Sequence, residues 1–181
     1  MFQQSTELPE PMAYHCTAQI NKTHLFIAGN VYDSHLQAYI VDTTNTSAFH
    51  FTKLPEMLNP RWGCACTVIR TPEKLLGKEN VKLMVVGGDF PAYKSSELYS
   101  FTTQSWTVGP ELPRGFYFGG YTKTPDIDAF ILIGGWDGSR YRTDLLMYNE
   151  EERIFEVLNG NLAIGRSRFG TVVVDKEEFC S

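Results

Sequence analysis

The sequence predicts an all-β fold assembled from repeats, and two independent markers carry that expectation. The first is a pair of glycines closing an apolar strand, followed by a Tyr and, seven residues on, another aromatic. Gly87 and Gly88 lead to Tyr99 and Trp106, and Gly134 and Gly135 lead to Tyr148 and Phe155. The second is a Leu-Pro element ahead of each unit: Leu8-Pro9, Leu54-Pro55 and Leu112-Pro113, with Leu162 filling a fourth place without its proline. The second glycines of the pairs lie 47 residues apart (88 to 135), which suits a four-stranded propeller blade and is too long for a leucine-rich or ankyrin unit. The leucines lie 46, 58 and 50 apart, and the long middle interval holds a polar insert at 71–80, where added loop length costs little entropy. The expected architecture is a β-propeller segment of about three four-stranded antiparallel blades, an incomplete ring, over 8–175. Its repeats are 8–53, 54–111 and 112–161, with the start of a fourth at 162–175 and tails at 1–7 and 176–181.

Taken in order, each repeat supplies an inner strand after its Leu-Pro element (14–20, 63–70, 116–123, 168–175) and a second strand running into the glycines (23–29, 81–88, 129–135). A third strand carries the tyrosine (36–42, 96–101, 144–149) and a fourth carries the aromatic (48–53, 105–108, 153–158). All are short, rich in Val, Ile, Phe and Tyr, and bounded by Asn, Asp, Gly, Pro and Ser clusters. The first repeat is degenerate. Gly29 stands alone of its pair, Val41 takes the tyrosine's place, and Phe49 comes one residue late for the aromatic. Residues 72–80 have helical composition but are too few for a stable helix, and Asp126 and Asp128 read as a hairpin turn that satisfies its backbone locally.

The motif residues have structural reasons to be there. Glycine at the mouth of the second strand allows positive φ and close backbone approach near an axis. The Tyr99–Trp106 and Tyr148–Phe155 pairs supply large faces to bury between neighbouring sheets. Small residues along the inner strands, among them Cys64, Ala65, Cys66, Gly119, Gly120 and Gly170, suit the narrow centre of a radial array.

An apolar strand ending in Gly-Gly, then Tyr, six residues and Trp, resembles the kelch repeat. The resemblance runs from about residue 8 to 175, close in the second and third units and weaker in the first. It implies a kelch-type propeller and, with it, a module that binds partner peptides or protein loops on the face where the glycine loops and the inner-strand loops gather. Propellers close with about four to eight blades, and the strand at 168–175 has no partner in this sequence. The expectation is therefore a fragment or one arc of a larger ring, with further blades or self-association covering its open ends.

The composition is that of a globular chain. A net charge of −5 without a basic stripe argues against nucleic acid as a partner, and no apolar run reaches membrane-spanning length. Residues 1–10 lack the apolar core of a signal peptide, so a true start at Met1 implies the cytosol, while a missing amino terminus leaves secretion open. Cys64 and Cys66, two apart, face one side of a strand and are read as small packed thiols in a chain without a disulfide framework. Asn21-Lys22-Thr23 and Asn45-Thr46-Ser47 match the N-glycosylation acceptor pattern in turns. His15, His24, His35 and His50 all lie in the first repeat without metal-ligand spacing. With no nucleophile elbow, phosphate loop or carboxylate pair either, no metal, cofactor or catalytic residue is expected.

Function is expected on the loop face. Its candidate binding residues are Arg61, Trp62, Lys94, Arg114, Trp136, Arg140, Tyr141, Arg142 and Arg166, with Phe90 and Tyr93 nearby. Arginine and exposed aromatics dominate binding energetics at interfaces, and a cationic, aromatic rim on an acidic chain fits an acidic peptide or protein loop. Against this, the arginines can equally brace neighbouring loops, with Asp33, Asp89, Asp137 and Asp144 neutralising part of the rim. Two other readings stand beside the non-catalytic module. One is an extracellular adhesion or matrix-type kelch protein; the other is part of a kelch-fold enzyme whose reactive groups lie in blades outside this chain.

Overall fold

The computed structural model describes residues 2–5, 7–32, 35–72, 79–124 and 128–174. Thirteen strands and no helix occur among them, paired into three antiparallel sheets. The first sheet holds β1 (Phe2–Ser5), β2 (Cys16–Gln19), β3 (His24–Ala28), β4 (Ala38–Asp42) and β5 (Phe49–Lys53). The second holds β6 (Ala65–Pro72), β7 (Glu79–Val86), β8 (Ser96–Ser100) and β9 (Ser105–Val108). The third holds β10 (Gly120–Lys123), β11 (Phe130–Ile133), β12 (Asp144–Asn149) and β13 (Ile154–Asn161). Each sheet contains a four-stranded meander, and the chain is a β-propeller segment of three blades. β1 pairs with the outer edge of β5, so the segment expected as a tail adds a fifth strand to the first blade.

Alternation along β7 shows how the blades stack. Leu83 and Val85 face the first blade, in one apolar cluster with Phe26, Tyr99 and Trp106. Met84 and Val86 face the third, with Phe130, Leu132, Tyr148 and Phe155. The expected aromatic pairs are direct cross-strand partners, Tyr99 opposite Trp106 and Tyr148 opposite Phe155. The Trp106 indole N–H also donates to the Pro55 carbonyl at 2.8 Å, tying the second blade to the connection that enters it. In the first blade Val41 does hold the tyrosine's place, but its partner is Phe51, not Phe49. The β4–β5 turn is longer, so ten residues separate Val41 from its aromatic partner where the other two blades have seven.

The glycine motif behaves as one device used repeatedly. Asn30, Gly88 and Gly135, each second in its pair, donate backbone N–H bonds of 3.0, 2.9 and 2.9 Å to Arg61, Phe116 and Arg166 on the chain entering the next repeat. Two residues further on, those entering segments are joined to one another. Gly63 N–H donates to Tyr14 O, Phe118 N–H to Gly63 O, and Arg168 N–H to Phe118 O, at 2.7 to 2.8 Å. All four residues have φ between 53° and 62°. This hydrogen-bonded chain around the hub explains why β2, β6 and β10 start later than the sequence predicts: a left-handed residue reverses the backbone just before each strand.

Arg168 continues that chain, yet residues 168–174 form no strand, contrary to expectation. They lie beside β10, where Thr171 donates to the Tyr121 carbonyl, and among the described residues no second strand of a fourth blade completes a ladder. Asp33, Asp126, the middle of the 71–80 insert and residues 175–181 lie outside the described residues, so the short-helix question at 72–80 does too.

The cysteines also depart from expectation. Cys16 on β2 and Cys66 on β6 form a disulfide between adjacent blades, with Cα atoms 5.7 Å apart. Cys64 and Cys66 do share a face, as their spacing requires, and that face meets β2. Cys64 remains a buried thiol whose pKa burial pushes up to about 11.

Candidate functional site

The expected rim divides into buried braces and exposed groups. Arg61 is 0% exposed. Its Nη2 and Nε donate to Glu97 at 2.8 and 3.2 Å, and its Nη1 donates to the carbonyls of Gly87 and Ser95 at 2.6 and 3.0 Å. Glu97, also fully buried, accepts further bonds from the Leu58 and Asn59 backbone N–H groups. Arg61 therefore locks one loop to another and presents no donor outward, so it does not stand on an accessible rim.

Arg114 is likewise a brace, but a displaced one. It donates to Asp144 through Nε at 2.9 Å and to the Asp144 and Gly115 carbonyls. By hub hydrogen bonding the counterpart of Arg61 is Phe116. By strand register the counterpart of Glu97 is Leu146, since each faces the residue two before the first glycine, Val85 and Leu132. Both members of the ion pair have thus moved two residues toward the amino terminus. Fully buried Phe116 and Leu146 fill the vacated place. A two-residue slip keeps side chains on the same strand face, which is how the third blade keeps the device in a new register.

Arg142 joins that brace, donating to both Asp144 oxygens at 3.1 and 3.0 Å and to Asp137 at 3.4 Å. Burial works to raise the Asp144 pKa, yet bonds from Arg142 and Arg114 hold it below the ordinary carboxylate value. Burial, with the Arg142 charge adding to it, pulls Arg114 down against the pull of Asp144. Two guanidiniums serving one carboxylate explain why Asp144 nevertheless stays ionised. At Asp137 burial is again outweighed, here by the Ser139 hydroxyl and the Arg140 and Ser139 N–H groups, which bring its pKa from 3.8 to about 2. Since both folded-state values lie below the unfolded ones, this stabilisation is present above the unfolded carboxylate pKa of 3.8 and drains away as pH falls below it, for Asp137 through about 2. Thermal melts should hold steady down to about pH 4 and then drop steeply, and the drop should be shallower in Asp137→Asn.

The exposed groups make a different surface. Lys94 and Arg166 are exposed, the Arg140 side chain is 72% exposed, and Tyr141 is 59% exposed against the half-buried Trp136 at 4.9 Å. Trp62 is half-buried, with Tyr14, Tyr117 and Phe118 rings 5.7, 5.1 and 5.6 Å away. Tyr93 extends this aromatic basin toward Phe90, which is 77% exposed. Arg168 lies with its guanidinium 4.6 Å above the Phe118 ring. Two cavities, of about 300 and 210 Å³, open on either side of Phe118 and Arg168. His15 lines the first, its Nδ1 atom is buried and unpartnered, and burial lowers that imidazole's pKa. Burial, with Asp89 adding to it, raises the Tyr117 hydroxyl's pKa, so it stays a donor.

Tyr14, Tyr117, Phe118 and Arg168 were missed among the candidates, although a spacing marks three of them. Leu8 to Tyr14, Leu112 to Phe118 and Leu162 to Arg168 are each six residues, and only the interval from Leu54 to Gly63 is nine. Treating 116–123 as one continuous strand hid the loop in which Tyr117 and Phe118 sit.

No family model and no curated protein matches the chain. Among solved structures it is similar to YjhT, with a TM-score of 0.70 and 14% identity over 90% of this chain. The likeness is one of fold. The match takes in 56% of the YjhT chain, so this sequence spans little more than half of that neighbour.

Proposed function

We propose that the chain is a kelch-type propeller segment that acts as a non-catalytic interaction module, taking an acidic peptide or protein loop on its aromatic basin. The observation that carries this reading is the separation of roles among the cations. Arg61, Arg114 and Arg142 are spent on internal carboxylates, while Lys94, Arg140, Arg166 and Arg168 are exposed, Arg168 with its guanidinium over the Phe118 ring. Aromatic faces with charged donors at their margin give affinity through burial and selectivity through charge.

An array of Asp- and Glu-rich and neutral peptides, probed with the intact chain, tests the proposal. Acidic members bind, and Trp62→Ala or Tyr141→Ala weakens binding about tenfold or more, as for an interface hot spot. A Lys94→Glu, Arg140→Glu, Arg166→Glu triple variant loses the acidic preference. Array binding indifferent to all of these substitutions refutes the proposal.

The same reading includes a neighbour on the far face of the third blade. Ile131, Ile133 and Met147 there are half-buried. They hold the positions at which Met84, Val86 and Leu98 of the second blade are covered by the third. A further blade of the same kind is the cover that this pattern matches.

One observation favours an extracellular setting for the module. Cytosolic thiols are kept reduced by the glutathione pool, and disulfides persist in oxidising compartments. The Cys16–Cys66 bridge belongs to the second setting.

A further inference from the structure

We infer that the first blade carries N-linked glycans at Asn21 and Asn45, both on the face turned away from the aromatic basin. The inference rests on the extracellular setting, not on the identity of the ligand. Asn21 lies in the turn between β2 and β3, and Asn45 in the turn between β4 and β5. Both are exposed. The two turns are neighbours, since the Thr43 N–H donates to the Thr23 carbonyl at 2.8 Å.

The two acceptor asparagines share one local geometry. Asn21 Oδ1 accepts the backbone N–H of Thr23 at 2.9 Å, and Asn45 Oδ1 accepts that of Ser47 at 3.0 Å. In each case the bond runs to the residue that supplies the acceptor pattern's hydroxyl. With the side chain held by its oxygen, the amide nitrogen has no partner among the described residues. β2 and β3 lead from these turns back to Tyr14 and Gly29, at the basin end. Four or five residues at about 3.3 Å each place the asparagines roughly 15 Å from that end, so bulky polar groups there leave the ligand face open.

The blade also meets the redox condition of the compartment where such transfer occurs. Cys16 and Cys66 give up two electrons and two protons to an oxidised dithiol carrier, which is released as the dithiol. The bridge then resists internal reshuffling, because the nucleophile in exchange is the thiolate, and the neighbouring Cys64 thiol, pushed up to about 11, stays protonated. Glycan transfer is a displacement at carbon. The Asn Nδ2 bonds to the anomeric C1 of the first sugar of a lipid-pyrophosphate oligosaccharide. The C1–O bond breaks, the lipid pyrophosphate leaves, and the amide loses one proton.

The experiment uses protein isolated from its native source, digested without reduction and treated with a glycanase that leaves Asp where a glycosylated Asn stood. The expected result is conversion of Asn21 and Asn45 to Asp, together with a Cys16–Cys66 linked peptide. A linked peptide with both asparagines unmodified overturns the glycan inference and leaves the extracellular setting standing. Free thiols at Cys16 and Cys66 with unmodified asparagines overturn both.

Discussion

Glu97→Ala destabilises the chain by about 3–5 kcal/mol in urea unfolding, the range for removing one member of a fully buried ion pair. The cost comes from what is left behind. The Arg61 guanidinium, with no exposure, loses its counter-charge, and the Leu58 and Asn59 N–H groups lose their acceptor. The third blade points to a partial remedy, since Phe116 and Leu146 occupy the equivalent places without charge. In that blade the residue matching Leu58 is Pro113, which has no N–H to satisfy. Arg61→Phe combined with Glu97→Leu should therefore be more stable than Glu97→Ala but less stable than the unaltered chain. A double variant as unstable as the single one would falsify the view that the stranded guanidinium dominates the loss.

Gly87→Ala is the second large effect. Gly87 has φ +65°, and a Cβ built there falls 2.2 Å from the Phe116 carbonyl oxygen, a backbone atom that cannot swing aside. Left-handed backbone costs an L-residue about 1–2 kcal/mol, and forcing atoms into packed space adds about 1–3 kcal/mol. The same carbonyl accepts the Gly88 N–H at 2.9 Å, so moving it also loosens the joint between the second and third blades. Gly170→Ala is the control, because nothing lies within 4 Å of its added carbon. Equal urea midpoints for the two variants would show that the glycine pair is not a spatial requirement.

Strand order was readable wherever neighbouring residues decide it. β9 and β12 match the sequence expectation residue for residue, and β4, β5, β8 and β11 lie inside theirs, because alternation and turn chemistry act over a few positions. The glycines and the two aromatic pairs were legible for the same reason. The candidate site was legible only in part. Trp136, Tyr141, Lys94, Arg140 and Arg166 do stand at the surface, but Arg61 and Arg114 are inside. Arg61, Arg114 and Arg166 look alike in sequence, each lying shortly after a leucine. Only Arg61 and Arg166 share a place at the hub.

Local periodicity was enough to set the blades, their strand sequence and the positions that need glycine, since each follows from a residue's own backbone and its near neighbours. Tertiary structure decided which cations are consumed by Glu97 and Asp144, that Cys16 meets Cys66, and that the hub sets the Arg168 guanidinium over the Phe118 ring. Those outcomes depend on contacts between residues 30 to 50 positions apart in the chain. Such contacts are set by the rotation from one blade to the next and by two-residue slips, which leave strand alternation unchanged and so leave no mark on the pattern.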